Sequence, residues 1–154
     1  MTLHWRIKTR KAWTDEARLT AEALRKARNE EKRLRFEVIY LSKISNRIFS
    51  DPTRLRQILI NIIGNAIKFT EKGGVEVTFQ MRPSRSSSTK QVLEITVSDT
   101  GIGISAEEAL RLFKPFAQAD SSTTRRFGGT GLGLVLSKKL AKTLGGDVTL
   151  GESD

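Results

Sequence analysis

In "NIIGNAIKFT", residues 61 to 70, two asparagines stand four residues apart and a lysine follows three further on. At about 100° per residue, Gln57, Asn61, Asn65 and Lys68 fall on one narrow side of a helix. Leu55, Ile58, Leu59, Ile62, Ala66 and Phe69 cover the opposite side. The polar stripe is thus made of amides and one cation instead of mixed charges. Asparagine inside a helix costs roughly half a kcal/mol relative to alanine, so two of them on one face suggest a task. Carboxamide oxygens are hard ligands suited to Mg²⁺, and a lysine ammonium suits a phosphate. The alternative is an exposed polar face without a task.

Two glycine-bearing loops carry complementary chemistry. "DTGIGIS", Asp99 to Ser105, directly follows an alternating apolar run. Gly101 and Gly103 allow a close backbone approach to a flat ligand, or a positive φ. An ionised carboxylate only accepts hydrogen bonds, so Asp99 suits an exocyclic amino group such as that of adenine; the alternative is a tight turn with a capping aspartate. "GGTGLGL", Gly128 to Leu134, opens the last helical pattern, where exposed N–H groups and the helix dipole favour phosphate. It is not a Walker loop, because no Gly-Lys-Ser/Thr follows. Nor is it a dinucleotide fingerprint, because a polar loop precedes it instead of a strand. Arg125 and Arg126 stand just before it and could reach phosphate oxygens; the alternative is two exposed loop arginines.

The elements that would position these groups can be read from periodicity. Asp51-Pro52 starts the asparagine helix, which runs to about Thr70. Alternation predicts strands at "LRFEVIYLSKI" with Phe36, Val38 and Tyr40 on one face, at "VEVTFQM" with Val75, Val77, Phe79 and Met81 on one face, and at "VLEITVSD" with Leu93, Ile95 and Val97 inward. "RIFS" is a further short strand candidate, and "RPSRSSSTK" reads as a polar hairpin loop. "SAEEALRLF" is a short helix capped by Ser105, with Glu108 completing a capping box. "KPFAQADSSTTRRFGGTG" is long and aperiodic, as a functional loop is. "LGLVLSKKLAKTLGG" is helical, with Leu132, Val135, Leu136, Leu140 and Leu144 on one face and Gly145 past its end. "DVTLGESD" begins another strand. "TDEARLTAEALRKARNEEKRL" reads as a weakly amphipathic N-terminal helix, and "MTLHWRIKTRKAW" before it as the tail of a preceding domain.

Bulk composition narrows the classes. The chain has 154 residues, which suits one domain plus an appendage, and no cysteine, which excludes disulfides and thiolate metal sites. Its one histidine, His4, argues against a histidine-based metal site. No apolar run has the length of a membrane span, no leader pattern opens the chain, and the composition sits comfortably with the cytosol. The net charge of +10 lies mainly in residues 1–35, with eleven Lys/Arg against five Asp/Glu. Nucleic-acid binding through that segment would explain the surplus, but no base-reading motif or aromatic interleaving accompanies it.

Taken in order, "DPTRLRQILINIIGNAIKFT", "VSDTGIGI", "LFKPFAQAD" and "GGTGLGL" resemble the asparagine box, first glycine box, phenylalanine box and second glycine box of sensor histidine kinases, the hybrid type above all. The resemblance covers about residues 32–154. It implies the ATP-binding catalytic domain of the gyrase, Hsp90, histidine kinase and MutL ATPase fold. That fold is a two-layer α/β sandwich, a mixed and mostly antiparallel sheet packed on one layer of three helices. The resemblance further implies that Asn65 ligates Mg²⁺, that Asn61 supports it or contacts phosphate, and that Lys68 binds phosphate. Phe69 would line the nucleotide pocket, and Asp99, with Gly101 and Gly103, would hold adenine. Phe113 and Phe116 would anchor a lid. Gly129, Thr130, Gly131, Leu132 and Gly133 would wrap the phosphates, joined by Arg125 or Arg126. Gyrase-like and Hsp90-like members carry a glutamate base where this chain has Asn61. An amide cannot take a proton from water, so the expected chemistry is transfer to a protein nucleophile and not hydrolysis.

The chain departs from that family in two places. The phosphoacceptor box, a His-Glu pair with an Arg-Thr-Pro-like run, is absent, and His4 in "TLHWRIK" matches nothing in it. "EALRKARNEE" resembles the signalling helix that leads into the acceptor hairpin, yet it meets the start of the catalytic domain directly. The expected organisation is therefore a basic segment and linker helix over 1–31 and a catalytic domain over 32–154. The strand that follows "GDVTLGES" in the family is missing, so an exposed sheet edge and marginal stability are expected. The expected activity is transfer of the ATP γ-phosphoryl group to a histidine outside this chain. The expected partners are the histidine-bearing dimerisation domain of a sensor kinase and a downstream response regulator or receiver domain. A homodimer through the N-terminal helix is a further expectation. The competing reading is a non-catalytic nucleotide-binding or dimerisation module that regulates a full-length kinase.

Overall fold

The computed structural model describes residues 2–8, 34–44, 50–84, 87–113 and 132–151. Five strands form one sheet: β1 (Thr2–Lys8), β2 (Arg35–Tyr40), β3 (Gly74–Ser84), β4 (Ser87–Asp99) and β5 (Asp147–Leu150), in the order β2-β3-β4-β1-β5. Three helices lie against it: α1 (Pro52–Phe69), α2 (Ala106–Arg111) and α3 (Gly133–Thr143). The β2–β3 pair is parallel, with α1 as the crossover, and the other pairings are antiparallel. This is the expected two-layer sandwich. Among the described residues no helix is long and apolar enough to cross a membrane. The expected N-terminal helix and most of the "RIFS" strand lie outside the described residues.

α1 begins where Asp51 Oδ1 accepts hydrogen bonds from the N–H groups of Thr53 (2.9 Å) and Arg54 (3.1 Å). Pro52 occupies the first turn, where no N–H is needed. The helix ends at Thr70, a fully buried residue whose Oγ1 donates to the Ala66 carbonyl at 2.7 Å. Leu55, Ile58, Leu59, Ile62, Ile63, Ala66 and Ile67 are buried against the sheet. A fully buried leucine or isoleucine contributes about 1.5–3 kcal/mol, which outweighs roughly half a kcal/mol lost at each asparagine. The core is completed by Val75, Val77 and Phe79 of β3, Leu93, Ile95 and Val97 of β4, and Val148 of β5. Tyr40 stacks on Phe79, with ring centroids 5.3 Å apart.

The structure revises three expectations. The N-terminal stretch read as a tail contains a strand inside the sheet: β1 pairs antiparallel with β4 on one side and β5 on the other. Leu3, Trp5 and Ile7 are the register partners of the buried Val97, Ile95 and Leu93. This two-residue period is present in the sequence, but the basic residues between mask it. His4 stands between Thr96 and Thr149 in the same strand. Second, most of "RPSRSSSTK" is not loop. β3 runs on to Ser84 and β4 starts at Ser87, with a register irregularity at Pro83/Ser84. Arg82 and Pro83 are exposed there, so no apolar face marks the pairing. Third, α3 is rotated from its expected orientation. Val135, Ser137 and Ala141 are buried, with Leu134, Leu140 and Leu144 packed on the core, whereas Leu132 and Leu136 are exposed. Two small buried residues, Ser137 and Ala141, let α3 approach its neighbours closely. The end of α3 is as expected: the N–H groups of Gly145 and Gly146 bond back to the carbonyls of Lys142 and Ala141, both at 2.9 Å.

Candidate functional site

The polar stripe of α1 is not a solvated face. Gln57, Asn61, Asn65 and Lys68 are all half-buried, as is Phe69. Two points along this side of α1 meet different segments of the chain. At the C-terminal end, the Ile102 N–H donates to the Phe69 carbonyl at 3.4 Å, and Gly101 packs against the same carbonyl. A Cβ on Gly101 would lie 2.5 Å from Phe69 O and 2.8 Å from Asp99 Oδ1. Only glycine fits there. Gly103 serves differently: its φ is +74° and the space about it is open. Gly101 is thus required by close packing against Phe69 and Asp99 within the protein, and Gly103 takes the left-handed backbone.

Asp99 ends β4. Its Oδ1 accepts the Gly101 N–H at 2.9 Å, while the buried Oδ2 is not the oxygen used in that bond. The loop that holds it is braced by Thr100, whose Oγ1 accepts the Gly74 N–H at 3.0 Å and donates to the Lys72 carbonyl at 3.1 Å. Thr100 thereby ties the loop to the turn that follows α1. Lys68 Nζ sits 5.2 Å from the Phe69 ring centroid, within cation–π range. Beyond the loop, Ser105 caps α2 with the expected reciprocal box. Glu108 N donates to Ser105 Oγ at 3.2 Å, and Ser105 N donates to the Glu108 carboxylate at 2.8 Å. The Ser105 hydroxyl, and then its backbone N–H, hold the Glu108 carboxyl below its ordinary range.

Two turns earlier on α1, Asn61 meets the start of α3. Its Nδ2 donates to the Gly133 carbonyl at 3.4 Å and to Ser137 Oγ at 3.3 Å. Ser137 Oγ in turn donates to the Gly133 carbonyl at 2.9 Å. Leu132 is the N-cap of α3, which has no side-chain cap bond and no acidic residue in its first turn. α1 and α2, by contrast, are capped by Asp51 and Ser105. The N–H groups and dipole at such an end suit an anion. Of the residues expected at the site, Asn61, Asn65, Lys68, Phe69, Asp99, Gly101, Gly103, Phe113, Leu132 and Gly133 are described. Phe116, Arg125, Arg126, Gly129, Thr130 and Gly131 lie outside the described residues.

Sequence reasoning missed three residues. Thr100 braces the first loop, and Ser137 connects Asn61 to Gly133. Lys138 holds Phe113: its Nζ lies 4.3 Å from the Phe113 ring centroid, donates to the Val148 carbonyl at 2.7 Å and pairs with Asp147 at 3.3 Å. A polar residue interrupting the apolar stripe of α3 was the available signal for Ser137. Nothing local marks Lys138 among the neighbouring lysines.

The described residues contain no group of three or more His, Asp or Glu able to hold a metal ion. The donor set along α1 is instead the carboxamides of Gln57, Asn61 and Asn65. Mg²⁺ takes most of its ligands from water and substrate phosphates, with one or two from protein. The amide oxygens of α1 fit an ion brought in that way, and they do not fit a metal held by protein alone.

Residues 50–154 match the family described as histidine kinase-, DNA gyrase B-, and HSP90-like ATPase. The signal transduction histidine-protein kinase BarA of Escherichia coli K12 is 44% identical over 121 residues, 79% of this chain and 13% of that protein. The autoinducer 2 sensor kinase/phosphatase LuxQ of Vibrio vulnificus is 42% identical over 120 residues, 78% of this chain and 14% of that protein. Full-length ShkA, solved in complex with AMPPNP, superposes with a TM-score of 0.66 at 30% identity, covering 90% of this chain and 27% of that one. The catalytic domain of the histidine kinase ThkA shares the fold, with a TM-score of 0.62 at 22% identity over 87% of this chain and 80% of that one. The chain therefore belongs to the histidine kinase-, DNA gyrase B- and HSP90-like ATPase family, and within it to the ATP-binding catalytic domains of sensor histidine kinases. It spans about one-seventh of the length of the two curated relatives named.

Proposed function

We propose that this chain binds Mg–ATP along α1 and presents its γ-phosphoryl group to a histidine that is not among its own residues. One observation carries the reading. The first glycine loop meets α1 at Phe69, and Gly133, in the second glycine segment, meets it at Asn61, with Asn65 midway. Eight residues of helix span about 12 Å, a distance that an extended nucleoside triphosphate covers. In this arrangement Asp99 accepts the adenine amino hydrogen beside Phe69. Asn65 supplies an amide oxygen toward the metal, and Asn61 supports it or contacts phosphate. Lys68 carries positive charge on the same stripe, and the start of α3 offers N–H groups to the phosphates. Arg125, Arg126 and the glycines from Gly129 to Gly131 complete the phosphate side, and Phe116 joins Phe113 at the loop's start.

When bound, Mg²⁺ neutralises charge on the phosphates. The protein's own work is alignment and electrostatic stabilisation, which dominate phosphoryl transfer. The partners on this reading are a histidine-bearing dimerisation domain and, after it, a receiver domain, and the setting is the cytoplasm. With Asn61 in place of a carboxylate base, hydrolysis is slow. Incubation with γ-labelled ATP tests the proposal. Label should appear on an added histidine-bearing hairpin and not on this chain alone. Binding of a fluorescent nucleotide without any transfer to the hairpin would instead support a purely regulatory module.

A further inference from the structure

Ser137 is fully buried in α3, and its hydroxyl completes a three-membered network with Asn61 and Gly133. The network fixes which way the Asn61 amide is turned. A backbone carbonyl can only accept, so the Asn61 atom facing Gly133 O must be the nitrogen. That nitrogen carries two hydrogens, and two acceptors stand within reach, Gly133 O at 3.4 Å and Ser137 Oγ at 3.3 Å. Ser137 can accept because its own proton is committed to Gly133 O at 2.9 Å. The two acceptors are only 2.9 Å apart, so they lie on the same side of Nδ2 and hold that nitrogen against the start of α3. Oδ1, which only accepts, is the atom it can offer to a ligand.

We infer that Ser137 is a positioning residue for the nucleotide site: it holds Asn61 with Nδ2 turned to α3, leaving Oδ1 as the acceptor that Asn61 offers to the metal or a metal-bound water. This rests on the Mg–ATP reading above and points to the metal-supporting role of the two left open for Asn61. It also gives the buried hydroxyl a function. An alanine there would leave an Asn61 hydrogen without its acceptor and let the amide rotate.

The test is a Mg²⁺ titration of fluorescent ATP-analogue binding, run on the whole chain and on Ser137→Ala, Ser137→Thr, Asn61→Ala and the Ser137/Asn61 double variant. Ser137→Ala should raise the Mg²⁺ concentration at half-maximal binding about three- to tenfold, the size of one lost hydrogen bond. Binding without Mg²⁺ should stay unchanged. Ser137→Thr, which keeps the hydroxyl, should titrate like the parent. In the Asn61→Ala background, Ser137→Ala should add less than about twofold, because residues acting through one another are not additive. The inference is overturned if Ser137→Ala weakens binding equally with and without Mg²⁺, if Ser137→Thr is as impaired as alanine, or if the effect persists without Asn61. Should the alanine variant not melt cooperatively, Ser137→Cys replaces it; a thiol is a weak acceptor, and an unshifted titration there counts against the inference. A parent chain that binds no nucleotide sinks the Mg–ATP reading itself, and this inference with it.

Discussion

α1 holds its two glycine segments in different ways, one at its C-terminal end and one at mid-helix. At Phe69 the contact is backbone against backbone, and Gly101 has no room for a side chain. At Asn61 the contact runs through side chains, and a Cβ on Gly133 would meet Asn61 only at 3.8 Å, an ordinary packing distance. One contact is therefore set by sterics and tolerates nothing. The other is set by hydrogen bonds and depends on which polar atoms are present. A site that must fix a base and also accommodate a metal-bound triphosphate gains from that division. The base end needs a rigid shape, and the phosphate end needs donors and acceptors that can be aligned.

The comparison can be broken most directly at Gly101. Gly101→Ala should abolish fluorescent-nucleotide binding in the measurable range and lower stability by about 1–3 kcal/mol, as overpacking does; near-parental affinity and melting would show that the loop has slack. Asp99→Asn keeps one oxygen for the Gly101 N–H but loses a charged acceptor. Affinity for adenine nucleotides should fall roughly tenfold or more, and equal affinity in a direct titration would remove Asp99 from base recognition. Gly133→Ala tests the tolerant end, where the described residues leave space. Its nucleotide affinity should change by less than about threefold, and a loss as large as that of Gly101→Ala would erase the distinction between the ends.

The smallest effect concerns pH. Glu108 is depressed by Ser105, so the cap's contribution to α2 is fully present above the ordinary glutamate range and is lost as pH falls through the lowered value. Glu108→Gln should flatten that acid-side dependence by a few tenths of a kcal/mol at most, because the pair is exposed. Thermal melting across pH 3 to about 7 checks it.

Much of the site was legible because its elements are local. The Asp51-Pro52 start, the amide stripe and the Ser105–Glu108 box each depend on spacings within one or two helical turns, which periodicity and capping rules report directly. The alternating runs of β3 and β4 were legible for the same reason, as both bury one face. The rest was hidden by separation or by polarity. β1 reads as a basic tail because Arg6 and Lys8 sit beside its apolar positions, and only its pairing with residues 92–98 and 147–150 makes it a strand. The extended β3–β4 ribbon has no apolar face to announce it.

The sequence by itself determined the residue types: amides and a lysine on one helix face, a carboxylate between strand and glycines, and a glycine run opening a helix. These follow from the helical period and from which atoms can accept or donate. Tertiary structure alone decided how they are used. It rotated α3 so that Ser137 instead of Leu136 is buried, it brought Asn61 onto residues 72 and 76 positions away, and it placed Lys138 over Phe113. No local rule could supply those contacts, because they depend on how closely two helices pack, and that distance is set by small side chains and a shared core.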